Sequence, residues 1–260
     1  MTVTSDAVRL DGRVAVVTGA AVGIGRAVAM SLASFGADLA VCDRDVENLA
    51  TTASDVDDLG RRVVAVEADV RDATAVDAFL HATRESFGAV DILVNNAGGG
   101  FAADLLDVSA KGEAALVAEN FTSVTNLVRA TVPLMEGRPA SIVNVTSIEA
   151  HRGGPGFAVY SAMKAAVASL TKSLALELGP RGVRVNAVAP DVIPTPGVGA
   201  DMPEPAALPR QGSVDDVAGV VCFLAGDLAA FVTGTTVHVD GGNLAASGWR
   251  RDDDGRWSPS

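Results

Sequence analysis

The sequence predicts a single α/β domain in which helices cover both faces of a parallel sheet. Short runs rich in β-branched residues alternate along the chain with longer stretches that have helical spacing. The runs are apolar almost throughout, as in parallel strands that are buried on both faces. No internal repeat or low-complexity linker divides the 260 residues, and one α/β domain commonly reaches this length. These observations favour one doubly wound sheet.

Seven runs have the composition expected of the strands. Small, polar or glycine residues end each run, which is typical of a strand that leads into a turn. We therefore expect a seven-stranded parallel sheet. The runs, in chain order, are VAVVTG, LAVCD, VVAVEAD, DILVNNAG, SIVNVTS, VRVNAVAP and TVHVDGG.

Six helices are expected between these runs. Asp72 and Ser213 open two of the stretches as helix caps do, while Gly36, Gly88 and Gly179 close three others. The expected helices extend roughly from Gly23 to Phe35, Asp45 to Leu59, Asp72 to Phe87, Ala114 to Met135, Tyr160 to Leu178 and Ser213 to Ala225.

Charge and composition exclude several classes of function. The chain has 32 acidic and 20 basic side chains, and its net charge of −12 repels phosphate backbones and anionic lipids. Neither a secretory leader nor a membrane-spanning run is found, and the two cysteines, Cys42 and Cys222, lie in apolar stretches as small buried hydrophobes do. No cluster of residues has metal-ligand spacing. We expect a soluble cytoplasmic protein that binds no nucleic acid, membrane or catalytic metal.

A glycine-rich turn follows the first strand directly. It reads TGAAVGIG and places Gly19, Gly23 and Gly25 where a helix begins. Glycines there let the backbone approach a pyrophosphate, which the free N–H groups at the helix start attract. A glycine turn between a strand and a helix predicts a Rossmann dinucleotide-binding fold.

The second strand ends at Asp43, 18 residues after Gly25. A carboxylate there can accept hydrogen bonds from both ribose hydroxyls and repels a 2′-phosphate, so it favours NAD over NADP. Val22 brings no cation to the glycine turn, whereas Arg44 is a group that a phosphate would attract. The alternative is that Asp43 only caps a helix.

Three residues later in the chain have the chemistry of an acid–base site. Tyr160 is the only tyrosine, and Lys164 follows on the same helical face. A phenol has an ordinary pKa of about 10, and a nearby ammonium favours its anion, as a general base requires. Ser147 ends the preceding strand, where its hydroxyl can meet the same substrate oxygen.

With these motifs the sequence resembles the classical short-chain dehydrogenase/reductase family over about Leu10 to Asn243. The resemblance implies that Tyr160 is the catalytic acid/base and that Lys164 lowers its pKa and holds the nicotinamide ribose. The matching segments are TGAAVGIG, ADV (Ala68 to Val70), NNAG (Asn95 to Gly98), Asn120, Ser147, YSAMK (Tyr160 to Lys164), RVNAVAP and VDGG (Val239 to Gly242).

The same resemblance implies the remaining roles. Ser147 orients the substrate oxygen, Asn120 positions a water of the proton relay, and Asp69 and Val70 flank the adenine ring. Similar enzymes are usually tetramers, so a homotetramer is expected. The implied cofactor-binding residues are Gly19, Val22, Gly23, Ile24, Gly25, Asp43, Arg44, Asp69, Val70, Asn96, Ala97, Gly98, Tyr160, Lys164, Pro190, Val192, Ile193 and Thr195.

One position departs from the family pattern. Asp191 follows Pro190 where the family usually has glycine, and it either tunes substrate choice or caps a turn. From Pro190 to Pro209 the chain holds six of its 11 prolines, which predicts an irregular loop. Its stretch from Gly197 to Leu208 is short and stiff, and such a rim favours a bulky apolar substrate.

The sequence also predicts how the chain divides into a catalytic domain and a tail. Residues 1–242 are expected to form the catalytic domain, and residues 243–260 a tail with two tryptophans that either frays or docks on a neighbouring subunit. His151 and Glu149 are interpreted as solvated loop residues, with a contact to the substrate as the alternative, and His238 is interpreted as structural.

Taken together, the sequence predicts an NAD-dependent oxidoreductase that interconverts a secondary alcohol and a ketone by hydride transfer. The expected substrate is a hydroxyacyl thioester, a steroid or a polyketide-like ring. The alternatives are an NADPH-dependent enzyme like the 3-oxoacyl carrier-protein reductases and a catalytically silent NAD-binding protein.

Overall fold

Seven parallel strands form the main sheet, as the apolar runs predict. The structure is a computed structural model that describes residues 4–198, 207–252 and 256–259. The sheet has the order β3-β2-β1-β4-β5-β6-β7, so the direction of strand addition reverses between β1 and β4. The strands are β1 (Val14–Thr18), β2 (Asp38–Asp43), β3 (Val63–Glu67), β4 (Ile92–Asn95), β5 (Ala140–Val145), β6 (Val183–Pro190) and β7 (Thr236–Val239).

Helices pack on both faces of this sheet and bury one hydrophobic cluster on each side. Leu32, Leu49 and Leu224 belong to one cluster, and Phe79 and Leu127 belong to the other. The fold is therefore a doubly wound Rossmann-like domain, and its parallel strands bring their carboxyl ends to one edge. The helices are α1 (Gly23–Ser34), α2 (Val46–Asp58), α3 (Ala73–Phe87), α4 (Ala110–Val117), α5 (Ser123–Thr131), α6 (Ala158–Leu178), α7 (Val214–Ala225) and α8 (Asn243–Ala246).

The expected helix from Ala114 to Met135 is wrong in its start and in its continuity. Helix α4 begins at Ala110 because the Ser109 side chain accepts a hydrogen bond from the Gly112 N–H and caps it. A π-helical turn, Ala118–Thr122, then separates α4 from α5. A 3₁₀ turn, Val132–Met135, completes the segment. Helix α6 likewise begins at Ala158, two residues before the expected Tyr160.

The C-terminal region is more regular than a frayed end. Helix α8 is followed by an antiparallel pair, β8 (Trp249–Arg251) and β9 (Trp257–Pro259), in which Arg251 lies opposite Trp257. Both tryptophans remain half exposed. Docking on a neighbouring subunit stays a prediction, and so does the domain boundary at residue 242.

The cysteines are packing residues. Cys42 is buried and Cys222 is partly buried, and neither forms a disulfide. Burial raises the pKa of each thiol to about 12, so neither is an active nucleophile. Within the described ranges, none of the helices is long and apolar enough to cross a membrane. No group of three or more metal-ligating side chains occurs there either.

Candidate active site

A cleft of about 630 Å³ lies at the carboxyl ends of the strands. Such a crevice is where open α/β sheets bind their ligands, beside the point where the strand order reverses. Every residue that the sequence predicts to bind the cofactor lines this cleft, from Gly19 on the first turn to Thr195 after β6. Ser147, Tyr160 and Lys164 line it as well, whereas Asn120 lies behind the wall.

The glycine turn forms one end of the cleft. Gly19 has a φ of +66°, which favours glycine, and a Cβ added to Gly25 would lie 1.9 Å from the Gly19 carbonyl oxygen. Asn96 fixes this turn, because its Nδ2 donates to the carbonyl oxygens of Thr18 and Gly19 at 3.0 Å. No side chain caps the start of α1 in the described part of the protein, so its N–H groups remain free to bind an anion.

Asp43 lines the same cleft at the end of β2. Its Oδ2 accepts a hydrogen bond of 3.0 Å from the Ala21 N–H, and its Oδ1 accepts bonds from the N–H groups of Arg44 and Asp45. The cap of α2 is Asp45, whose carboxylate accepts from the Asn48 N–H. The carboxylate of Asp43 is therefore positioned by backbone donors beside the cleft and is not the helix cap.

Arg44 and Asp69, both expected at the cofactor, already have ionic partners. Arg44 lies 3.6 Å from the Glu119 carboxylate, and Asp69 accepts hydrogen bonds from the Arg71 guanidinium. The pairing lowers the pKa of Asp69, so that carboxylate is ionised. Glu119 lines the cleft too, although the sequence analysis did not select it.

Helix α6 carries Tyr160 and Lys164 on one face, as their spacing predicts. The Lys164 Nζ is buried, donates to the Val145 carbonyl oxygen at 3.0 Å and lies 5.6 Å from the centre of the Tyr160 ring. Burial lowers the pKa of Lys164 to about 8, while Glu119 acts in the opposite direction. Lys164 therefore connects the end of β5 with the ring of Tyr160.

The expected lowering of the phenol pKa is not found. Burial raises the pKa of Tyr160 above its ordinary value of 10.0, and Glu149 adds to this rise, although a hydrogen bond with Ser147 opposes it. Burial removes water from the phenolate, and the Lys164 ammonium donates to a carbonyl oxygen instead of the phenol. The serine and the tyrosine do meet, as the sequence analysis expects.

This arrangement predicts a direct spectroscopic result. Tyr160 is the only tyrosine of the chain, so the near-ultraviolet absorbance of phenolate reports on this one group. In the protein without cofactor we expect no phenolate step below about pH 10, because burial disfavours the anion. A pH titration of the difference absorbance measures it, and Tyr160→Phe supplies the blank. A step near neutral pH would show that Lys164 already lowers the phenol pKa.

Asn120 lies in the π turn and is fully buried. Its Nδ2 donates to the carbonyl oxygens of Gly99 and Leu116, and its Oδ1 accepts from the Gly99 N–H. A Cβ added to Gly98 would lie 2.9 Å from the Asn120 Oδ1 and 3.0 Å from the Lys164 Nζ. Asn120 thus braces the strand end beside Lys164, and its role in positioning a water stays a prediction.

Comparisons with known proteins agree with this geometry. A family model described as enoyl-(acyl carrier protein) reductase matches residues 19–243. Cyclohexanol dehydrogenase of Rhodococcus sp. (strain TK6) is 38% identical over 92% of this chain and 98% of its own. The 3-oxoacyl-(acyl-carrier-protein) reductase FabG of Thermotoga maritima is also 38% identical, over 90% of this chain and 98% of its own.

A solved structure extends the match to the fold. The short chain dehydrogenase from Burkholderia cenocepacia J2315, in complex with NADP, is 36% identical and superposes with a TM-score of 0.87. The match covers 90% of this chain and 99% of that chain. The chain belongs to the short-chain dehydrogenase/reductase family. It is therefore an oxidoreductase of alcohols and ketones, and its glycine turn, uncapped α1 and cleft of about 630 Å³ fit a nicotinamide dinucleotide.

The chain after β6, where the sequence analysis expects contacts with the cofactor, forms one side of the cleft. Ile193 is buried, Val192 is half exposed, and the Thr195 side chain lies 3.2 Å from a Cβ added to Gly23. The loop therefore packs on the glycine turn and closes the cleft from one side. Residues 199–206 of the predicted rim lie outside the described residues.

Asp191, where the sequence departs from the family pattern, has two side-chain partners in the structure. Its Oδ1 accepts a hydrogen bond of 3.2 Å from Arg152 Nη2, and the Asn243 amide donates to its Oδ2. The same guanidinium binds the Glu149 carboxylate at 2.7 Å. Glu149 lines the cleft, so its interpretation as a solvated loop residue is wrong. Arg152 was missed, because only tertiary structure joins residues 39 positions apart.

His151 and His238 form a pair outside the cleft. The rings of His151 and His238 meet edge to face, with their centres 4.6 Å apart. Burial and the neighbouring charges lower the pKa of His151. Neither ring is among the described residues that line the cleft.

Proposed function

We propose that this dehydrogenase/reductase is NAD-dependent and interconverts a bulky, apolar secondary alcohol and its ketone. The observation that carries the cofactor assignment is the Asp43 carboxylate, which backbone donors hold beside the cleft. The assignment of the reaction rests on Ser147, Tyr160 and Lys164, which meet at the other end of the same cleft.

In the oxidation direction, Tyr160 Oη takes the hydroxyl proton of the alcohol. The Ser147 hydroxyl donates to the substrate oxygen and stabilises the carbonyl that forms. Lys164 holds its positive charge 5.6 Å from the Tyr160 ring, and this charge attracts the phenolate anion. Bound NAD supplies the hydride acceptor. Asn120 holds the Gly99 backbone in place at the edge of the cleft.

The preference for NAD follows from charge. A 2′-phosphate at the adenine ribose would meet the Asp43 carboxylate, whereas two ribose hydroxyls can donate hydrogen bonds to it. The Arg44 guanidinium would attract a 2′-phosphate. It lies 3.6 Å from the Glu119 carboxylate, however, which already compensates its charge. The Burkholderia cenocepacia neighbour contains NADP, so the family accommodates both cofactors and the choice depends on individual residues.

Replacing Asp43 should change the cofactor. In Asp43→Ser we expect the ratio of kcat/KM for NAD to that for NADP to fall by at least about 100-fold, since repulsion of the 2′-phosphate disappears. Initial rates with both cofactors measure it. Asp45→Ser is the matched control, because Asp45 caps α2 two residues away, and it should leave the ratio unchanged. A wild-type enzyme that prefers NADP would overturn the proposal.

The substrate class follows from the walls around Tyr160. The Gly100 backbone packs closely on the Tyr160 ring, and Phe157, Val192 and Val198 provide exposed apolar surface on the same side. Such walls suit cyclic alcohols, steroids and acyl thioesters better than sugars. Rates with a panel of these alcohols against sugar alcohols test the class. A clear preference for sugar alcohols would exclude it.

A second candidate is an NADPH-dependent 3-oxoacyl carrier-protein reductase. The identity to the Thermotoga maritima reductase and the presence of Arg44 favour it. The same cofactor comparison separates the two candidates. A silent NAD-binding protein is disfavoured, because it would need no phenol and ammonium matched across one helix face.

We also propose a homotetramer that forms partly through α6. Ala162 and Ser169 leave a small, exposed face on this helix, which lets a partner helix approach closely. The mass in solution, by light scattering, tests this proposal.

A further inference from the structure

Two carboxylates and one guanidinium line the wall between the catalytic cleft and a second cavity. Glu149 lies on the cleft side, Arg152 on the side of the second cavity, and Asp191 on both. The second cavity has a volume of about 1000 Å³ and also shares Val192 and Ile193 with the cleft. We call Glu149, Arg152 and Asp191 the charged wall.

The two carboxylates of the charged wall are mostly removed from water. The side chains of Asp191 and Glu149 are 10% and 20% exposed, so solvent screens their charges poorly. Arg152 contacts both carboxylates, with Nε and Nη2 on Glu149 Oε1 and Nη2 on Asp191 Oδ1. One positive charge therefore faces two negative charges, and the wall keeps a net negative charge.

Hydrogen bonding leaves this negative charge incompletely compensated. Among the described residues, the buried Glu149 Oε2 has no hydrogen-bond donor. The Asn243 amide donates to Asp191 Oδ2, but an amide carries no charge. The excess negative charge is thus held at fixed positions on the substrate side of Tyr160.

The other charged residues that line the cleft do not compensate this negative charge. Apart from Glu149 and Asp191, the described lining of the cleft holds three carboxylates, those of Asp43, Asp69 and Glu119, against the two cations Arg44 and Lys164. Arg44 pairs with Glu119 towards the adenine end, and Lys164 donates to Val145 beneath the ring of Tyr160. An anion on the substrate would therefore meet a negative potential in a site of low dielectric.

We propose that Asp191 and Glu149 determine substrate specificity by charge, so that this enzyme rejects substrates with an anionic group near the reacting carbon. The inference rests on the proposed reaction at Tyr160 and narrows its substrate class to alcohols and ketones that are uncharged on that side. It assigns a role to the position where the family usually has glycine. Arg152 acts as a positioning residue that holds the two carboxylates together.

The test uses two ketones of equal shape and different charge. We compare the reduction by NADH of 4-oxocyclohexanecarboxamide and of 4-oxocyclohexanecarboxylate at pH 7. The wild-type enzyme should favour the amide in kcat/KM by at least about 30-fold, since one unit charge placed near the wall is repelled. Asp191→Asn keeps the shape of the side chain and should reduce this preference about tenfold, because it removes one negative charge.

Arg152→Gln should change the preference in the opposite direction, because it removes the only positive charge of the wall. If Asp191 and Arg152 acted only through packing, the two variants would not change the preference for the amide in opposite directions. Asp227→Asn is the matched control, since Asp227 pairs with Arg13 away from the cleft, and it should leave the preference at the wild-type value. Equal kcat/KM for both ketones in the wild-type enzyme would overturn the proposal.

The proposal and the proposed function can fail separately. If the wild-type enzyme reduces neither cyclic ketone, the proposed apolar substrate class fails, while charge selection is still measured by binding. Thermal shifts of the NADH-loaded enzyme with cyclohexanecarboxamide and cyclohexanecarboxylate then provide the comparison. Stabilisation by the amide alone supports the charged wall, and equal stabilisation by both compounds contradicts it.

Discussion

Tyr160→Phe is expected to lose alcohol–ketone turnover by at least about 100-fold while NADH binding stays as in the wild-type enzyme. The phenol lies beside Ser147 in the cleft, and phenylalanine keeps the ring that packs on Gly100. Steady-state rates in both directions measure the loss. Fluorescence titration of NADH measures binding independently of turnover.

Phe157→Leu is a control for packing near that ring. Phe157 lies at an edge-to-face contact with Tyr160, with the ring centres 6.2 Å apart, and carries no proton for transfer. A moderate change there together with a large loss in Tyr160→Phe would separate chemistry from packing. Near-normal turnover in Tyr160→Phe would refute the assignment of the acid/base.

Lys164→Met is expected to abolish turnover and, at the same time, to stabilise the protein without cofactor. Burial lowers the pKa of Lys164 from its ordinary 10.5 to about 8, so holding the ammonium inside costs free energy at neutral pH. A shift of this size corresponds to about 3 kcal/mol, part of which the hydrogen bond to Val145 offsets. Activity assays and chemical denaturation of the same samples measure the two effects.

The pH dependence of the free energy of unfolding tests this cost of burying the Lys164 ammonium. Between about pH 8 and pH 10.5 the folded protein has released the Lys164 proton while the unfolded chain retains it, so the free energy of unfolding rises with pH. Below pH 8 both states hold the proton and the full cost is present. Lys164→Met should lack this rise, whereas Lys172→Met, an exposed lysine on the same helix, should keep it. A wild-type curve as flat as that of Lys164→Met would contradict the account.

Much of the fold and of the cleft was predictable because it depends on local patterns. Apolar runs ended by glycine or polar residues define all seven strands of the main sheet, and the strand ends must meet at one edge. The glycine turn and Asp43 are therefore expected on the same cleft as Tyr160 and Lys164 without any knowledge of tertiary contacts. The motif residues of the family occupy the expected walls.

Other features depend on contacts that no local pattern encodes. The start of α4 at Ala110 follows from one serine cap, and the π turn around Asn120 has no periodicity of its own. The direction of the Tyr160 pKa shift depends on burial, which residue spacing does not reveal. The partnership of Arg152 with Asp191 joins a loop to a strand end, and it converts an apparent turn residue into part of the cleft wall.

The π turn at Ala118–Thr122 constrains how this chain can change length. A π turn holds one residue more in its hydrogen-bonded ring than an α-helix does, so removing one of its residues would restore α-helical geometry and leave the helices on either side in their places. Val124 and Leu127 would then stay in the core, whereas Asn120, which lies within the turn, would lose its position against the Gly99 backbone. A one-residue deletion here would thus spare the core and change the cleft, so sequence alignments of related enzymes should tolerate a single gap within these five residues.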